Sequence, residues 1–127
     1  MNKNLAYKIV DDYFKSWLKQ DKEGFLSLLH EDVVVKECTG DVYKNKMIAE
    51  KWFEGWNVDG NKVFRWDISN RYYDNEKETA IIEWEFECLY EYNIYCFLGI
   101  STIRFKADLI YKLNEYQMDK EKKYPYL

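Results

Sequence analysis

Ile82-Glu83-Trp84-Glu85-Phe86-Glu87-Cys88-Leu89-Tyr90 carries the clearest pattern in the chain. Ile82, Trp84, Phe86, Cys88 and Tyr90 fall on one parity, and Glu83, Glu85, Glu87 and Glu91 on the other. Side chains of a strand alternate between its two faces, so period two means a strand with one buried, aromatic face and one acidic face. A strand of this kind needs neighbours, and the flanking sequence supplies them. Upstream, beyond the turn residues Asp74-Asn75-Glu76-Lys77, the segment from Lys62 to Tyr73 sets Phe64, Trp66 and Ile68 opposite Arg65, Asp67 and Ser69. Downstream, Tyr95–Phe105 and Leu109–Gln117 read as two further strands joined near Lys106-Ala107-Asp108. The second half of the chain is therefore read as an antiparallel sheet.

The first half has a different period. Leu5, Ile9, Tyr13 and Trp17 recur every four residues, with Val10, Phe14 and Leu18 beside them. That stripe predicts an amphipathic helix from Asn4 to Gln20. Asp21 is placed to cap a short second helix holding Phe25, Leu28 and Leu29. The β-branched run Val33-Val34-Val35 favours a short strand. A turn at Gly40-Asp41 precedes a third helix from Lys46 to Trp56, with Ile48, Trp52 and Trp56 in line. Helices collected on one face of an antiparallel sheet make an α+β fold. Without a linker, repeat or low-complexity tract, residues 1–127 form a single domain.

Composition removes several functions. The net charge is −4, and acidic and basic residues are mixed along the chain, so no basic stripe exists for nucleic acid. The interrupted run Lys120, Lys122, Lys123 reads as a solvated end. No apolar stretch approaches the ~18–20 residues of a membrane span, and the opening residues lack the apolar core of a signal peptide. Cys38, Cys88 and Cys96 are odd in number and widely spaced, and only one histidine, His30, could join them. Free thiols in a reducing cytoplasm, and no metal site or cofactor motif, are the expectation. Aromatic residues make up 19% of the chain, enough for a dense core or for the wall of a pocket.

Three groups of residues carry a resemblance. Tyr13-Phe14 and Trp17, followed by Phe25-Leu26-Ser27-Leu28-Leu29-His30-Glu31-Asp32-Val33-Val34, resemble the opening of NTF2-like and SnoaL-like proteins. Trp52-Phe53-Glu54-Gly55-Trp56 is similar to the end of their third helix. Gly99-Ile100-Ser101-Thr102-Ile103-Arg104-Phe105, with Asp108-Leu109-Ile110, is similar to their last two strands. The resemblance implies a cone: a curved antiparallel sheet wrapped around three helices, open at one end to a small, largely apolar molecule. It also implies pairing of two copies through the sheet, and chemistry that needs no cofactor.

Within that family the ketosteroid isomerase branch implies specific roles. Tyr13 falls where that branch keeps the tyrosine of its oxyanion hole, and Glu37 where it keeps its carboxylate base. Ser101 falls where the branch keeps a protonated aspartic acid, a substitution that weakens the hydrogen-bond donor. The expected wall of the pocket is Trp17, Trp52, Trp56, Phe86 and Phe97, with Glu115 a further candidate because it shares a strand face with Leu109, Tyr111 and Leu113. On residue pattern alone Tyr13 is a core tyrosine, Glu37 an exposed residue near a turn, and His30 a surface residue. Two functions follow from this reading. One is a pocket protein for a small apolar or aromatic metabolite, with isomerase, cyclase or dehydratase chemistry. The other is a ligand-binding or dimeric interaction module that does no chemistry.

Overall fold

The computed structural model describes residues 1–127. Its first helix starts where Asn2 caps it, the side chain accepting from the Leu5 N–H at 2.9 Å. This helix, α1 (Lys3–Leu18), buries Ala6, Ile9, Val10, Tyr13, Phe14 and Trp17 along one stripe. Asp21 caps α2 (Lys22–Ser27) through the Gly24 N–H at 3.0 Å, and Phe25 is its buried residue. Strand β1 (Leu29–Lys36) is longer than the valine run alone. A three-residue strand, β2 (Val42–Lys44), lies where the sequence offers only a turn, because three residues are too few to display a period. Asn45 then caps α3 (Lys46–Trp56) through the Ile48 N–H. Four long strands follow: β3 (Lys62–Asp74), β4 (Thr79–Tyr90), β5 (Asn93–Lys106) and β6 (Leu109–Met118). No helix is long and apolar enough to cross a membrane.

The strands form one six-stranded sheet in the order β2-β1-β6-β5-β4-β3. The sheet is mixed, not wholly antiparallel as the sequence reading has it, because β1 runs parallel to β6. A parallel neighbour requires a crossover, and the chain between β1 and β6 provides a long one through α3 and three strands. The helices pack on one face of the sheet, and the core lies between them. Phe14 of α1 stacks on Trp66 of β3 with ring centroids 4.1 Å apart and planes 7° apart.

β-Bulges correct two face assignments. Val63 pairs with Cys88 and Arg65 with Glu87, leaving Phe64 as the extra residue on β3. The parity reverses there, so Val63 and Trp66 face inward while Phe64 is 44% exposed. The sequence reading puts Phe64 and Trp66 on one face. Likewise, Phe105 pairs with Ile110 and Arg104 with Lys112, so Tyr111 is skipped on β6. Glu115 therefore shares its inward face with Leu113 and Ile110, not with Leu109 and Tyr111. Tyr111 packs instead against His30, with ring centroids 5.2 Å apart.

The acidic row of β4 lies on the outer face. Arg65 bonds Asp67 and Glu87 at 3.0 and 3.1 Å and also bonds Glu85. Lys120 reaches back to Glu85 at 3.0 Å, so one lysine of the supposed solvated end is tied to the sheet.

Candidate functional site

Helices and sheet enclose a solvent-connected cavity of about 620 Å³, within the size range of small-molecule sites. All five tryptophans of the chain line it: Trp17 from α1, Trp52 and Trp56 from α3, Trp66 from β3 and Trp84 from β4. Each arrives through its element's own period. Trp52 and Trp56 are four apart on a helix, and Trp84, Phe86, Cys88 and Tyr90 are two apart on a strand. Phe97, paired with Phe86 across the ladder, completes this side with ring centroids 5.3 Å apart. Two stacked pairs extend the wall: Tyr43 on Trp52 at 4.8 Å and Trp56 on Tyr90 at 5.6 Å.

Two carboxyl groups reach this aromatic wall. Glu37 follows the end of β1 and accepts a hydrogen bond from the Tyr43 hydroxyl at 3.0 Å. Burial raises its pKa, and the Tyr43 bond opposes that rise because it favours the carboxylate. The Trp52 indole edge lies near the same carboxyl and acts in the same direction, although Trp52 Nε1 makes no hydrogen bond of good geometry. Glu115 is in a harsher place. Its Oε2 is sealed from solvent and has no partner. Burial first, and the Glu37 charge second, push its carboxyl up to about 8. The two acids thus differ in their surroundings: one is hydrogen-bonded, the other unpartnered and inclined to hold its proton.

The wall therefore holds Trp17, Trp52, Trp56, Phe86, Phe97, Glu37 and Glu115. Tyr13 and Ser101 do not line it. Tyr13 is fully buried beneath the wall among Phe14, Phe25 and Trp66, and its hydroxyl has no hydrogen-bond partner. Burial raises its pKa well above the ordinary value, with the Glu115 and Glu37 charges adding to the rise. Ser101 is also fully buried, and its Oγ accepts from Trp84 Nε1 at 2.9 Å. Its visible role is to hold the Trp84 ring. Glu115 sits directly opposite Ser101 in the β5–β6 ladder. A carboxyl group is therefore present at this level of the cone, one strand over from where the resemblance puts it.

Some lining residues escape the sequence reading. Tyr43 lies on the three-residue β2, and Asp41 and Lys51 line the cavity from a turn and from the exposed side of α3. Trp66 and Tyr90 carried a signal, since both belong to alternating strands, but alternation identifies an inner face without distinguishing core from cavity. No cluster of three or more His, Cys, Asp or Glu side chains is arranged to hold a metal ion.

An LEH-like epoxide hydrolase from M. tuberculosis superposes with a TM-score of 0.80 at 10% identity, over 91% of this chain and 84% of that one. An NTF-2 like protein from Burkholderia xenovorans LB400 gives 0.76 at 10% identity, over 99% and 92%. This chain has the NTF2-like fold. The Δ5-3-ketosteroid isomerase from Mycobacterium sp. gives a TM-score of 0.75 at 19% identity, over 88% and 92%. No protein-family model and no curated protein sequence matches the chain. At these identities the NTF2-like likeness describes architecture, and function has to be argued from the cavity itself.

Proposed function

We propose that this protein binds a small, mainly apolar or aromatic molecule in its tryptophan-lined cavity, and that Glu37 acts on it as a general base. The observation that carries this reading is a carboxylate held by Tyr43 on the wall of an open aromatic cavity of about 620 Å³. A half-buried but hydrogen-bonded carboxylate whose pKa is raised is a stronger base than one in water, and it is oriented before the ligand arrives. Glu37 would take a proton from an acidified carbon and return it at another position or to a leaving group. Tyr13, sealed beneath the wall, would act only indirectly, by supporting the Trp66 ring that lines the cavity. Ser101 would act only through Trp84. Such chemistry belongs to isomerases, cyclases and dehydratases that work without a cofactor, and two fold neighbours bear enzyme names, a hydrolase and an isomerase.

The test uses the molecule that co-purifies with the protein, identified by mass spectrometry after native extraction. Incubated with the protein in D2O, it should gain deuterium at one carbon. Glu37→Gln should slow that exchange by roughly 10²–10⁴-fold, the usual worth of a general base. Equal exchange in the variant would remove Glu37 from the role.

A second reading has its own support. Tyr13 Oη and Ser101 Oγ both lie off the cavity surface, so a protein that only binds its ligand fits the same geometry. Under that reading, a molecule recovered from the cavity exchanges no deuterium in the wild type.

A further inference from the structure

We infer that the cavity selects an organic cation, an ammonium group carried on an apolar or aromatic body. The inference rests on the pocket reading above and names the chemistry of its occupant. Three acids, Glu37, Asp41 and Glu115, line the cavity, against one lysine. Asp41 and Lys51 are both exposed and offset each other, so the charged groups farther in are the half-buried Glu37 and Glu115. An unbalanced acidic interior is costly while it is empty and is relieved by a positive ligand. Glu115 makes the point most sharply, since its Oε2 is sealed and unpartnered. Glu37 is different, because Tyr43 already holds it.

The wall suits the same ligand. Aromatic rings attract cations through the negative faces of their π systems, most strongly for tryptophan, and the effect grows as water is excluded. Trp17, Trp52 and Trp56 meet one another at the α-helical side, with Trp17 against Trp56 at 89° and against Trp52 at 55°. All three line the cavity, with Tyr43 already stacked on one face of Trp52 and Tyr90 on one face of Trp56. The combination of aromatic wall and half-buried acid is how a site distinguishes an ammonium ion from a neutral molecule of equal shape.

Proton release follows from the arrangement. The groups that face Glu115 are Glu37 after β1, Cys38 in the following turn, Tyr13 of α1, and the uncharged Ser101 across the ladder on β5. The nearest cation, Lys36 of β1, borders a second, more open pocket with Glu115 and is exposed to solvent, and none of the inward-facing groups is cationic. An unliganded Glu115 therefore holds a proton near neutrality, and an arriving cation expels it. Cation affinity rises with pH until the carboxyl is ionised without help.

The experiment titrates the whole protein with phenyltrimethylammonium and with its neutral isostere tert-butylbenzene, by calorimetry in two buffers of different ionisation enthalpy. The cation should bind about tenfold or more tightly than the isostere and release nearly one proton at neutral pH. Its affinity should rise roughly tenfold or more between pH 6 and pH 9. Glu115→Gln should abolish the proton release and the preference while keeping affinity for tert-butylbenzene, which also shows that the variant folds. Equal or better binding of tert-butylbenzene overturns the cation assignment and leaves the pocket reading standing. Preference for the neutral ketone acetophenone without proton release also overturns it, and makes Glu115 a hydrogen-bond donor to an oxygen. Binding of none of the three at millimolar concentration overturns the pocket reading together with the inference.

Discussion

At the scale of single residues, Glu115 is the acid with the most strongly raised pKa in the cavity wall, and it costs the fold something to keep. Its ordinary value of 4.5 is pushed up to about 8 by burial and by the Glu37 charge. Between those two values the folded protein holds a proton that the unfolded chain has lost. Stability should therefore fall as pH rises from about 4.5 to about 8, at no more than ~1.4 kcal/mol per pH unit from this one group. Urea midpoints measured across that range should decline in the wild type and flatten in Glu115→Gln. Parallel curves for the two proteins would mean that Glu115 ionises normally. Sequence alone named Glu115, with Leu113 rightly on its face and Leu109 and Tyr111 wrongly so. It named Glu37 through a resemblance, and Tyr43, which holds Glu37, left no trace in the pattern. A hydroxyl-to-carboxylate bond between a turn and a three-residue strand has no periodicity to read.

At the scale of elements, the period of a segment was a reliable guide wherever it ran unbroken. The β4 alternation placed Trp84, Phe86, Cys88 and Tyr90 on one face, and all four line the cavity. The α1 stripe was equally readable, and Asp21 caps α2 as its position suggested. Reading failed at the bulges, because one inserted residue reverses every later side chain and leaves composition unchanged. The β3 bulge has a measurable consequence. Phe64, pushed outward, should tolerate Phe64→Ser within about 0.5 kcal/mol, the usual range for surface changes. Trp66, stacked on Phe14, should lose roughly 3 kcal/mol on truncation to alanine. Chemical denaturation of the two variants compares them directly, and similar losses would contradict the assigned register. The parallel pairing of β1 with β6 was also beyond the sequence, since strand direction depends on which edges meet after the sheet has curved.

For the molecule as a whole, the proposed ligand would occupy the inner face of the cone and leave the outer face uncovered. On that outer face Leu98 pairs with Met118 and Ile100 with Tyr116, an apolar strip beside the Arg65–Glu85–Lys120 network. We propose that two copies pair there; sedimentation equilibrium should return twice the 15.6 kDa chain mass, and a monomer throughout the micromolar range would contradict it. The central claim concerns the inner face. Three indole N–H groups, those of Trp17, Trp52 and Trp66, are buried and make no hydrogen bond of good geometry, although Trp17 lies near the Tyr13 hydroxyl and Trp52 near the Glu37 carboxyl, whereas that of Trp84 is bonded to Ser101. Buried donors of this kind are rare unless a ligand or water meets them. The most direct measurement is the ¹H–¹⁵N spectrum of the five tryptophan indoles during titration with 2-naphthol. The Trp17, Trp52 and Trp66 signals should move together to saturation with one dissociation constant, and the Trp84 signal should move least. If all five stay fixed to millimolar concentration, the cavity is not a ligand site.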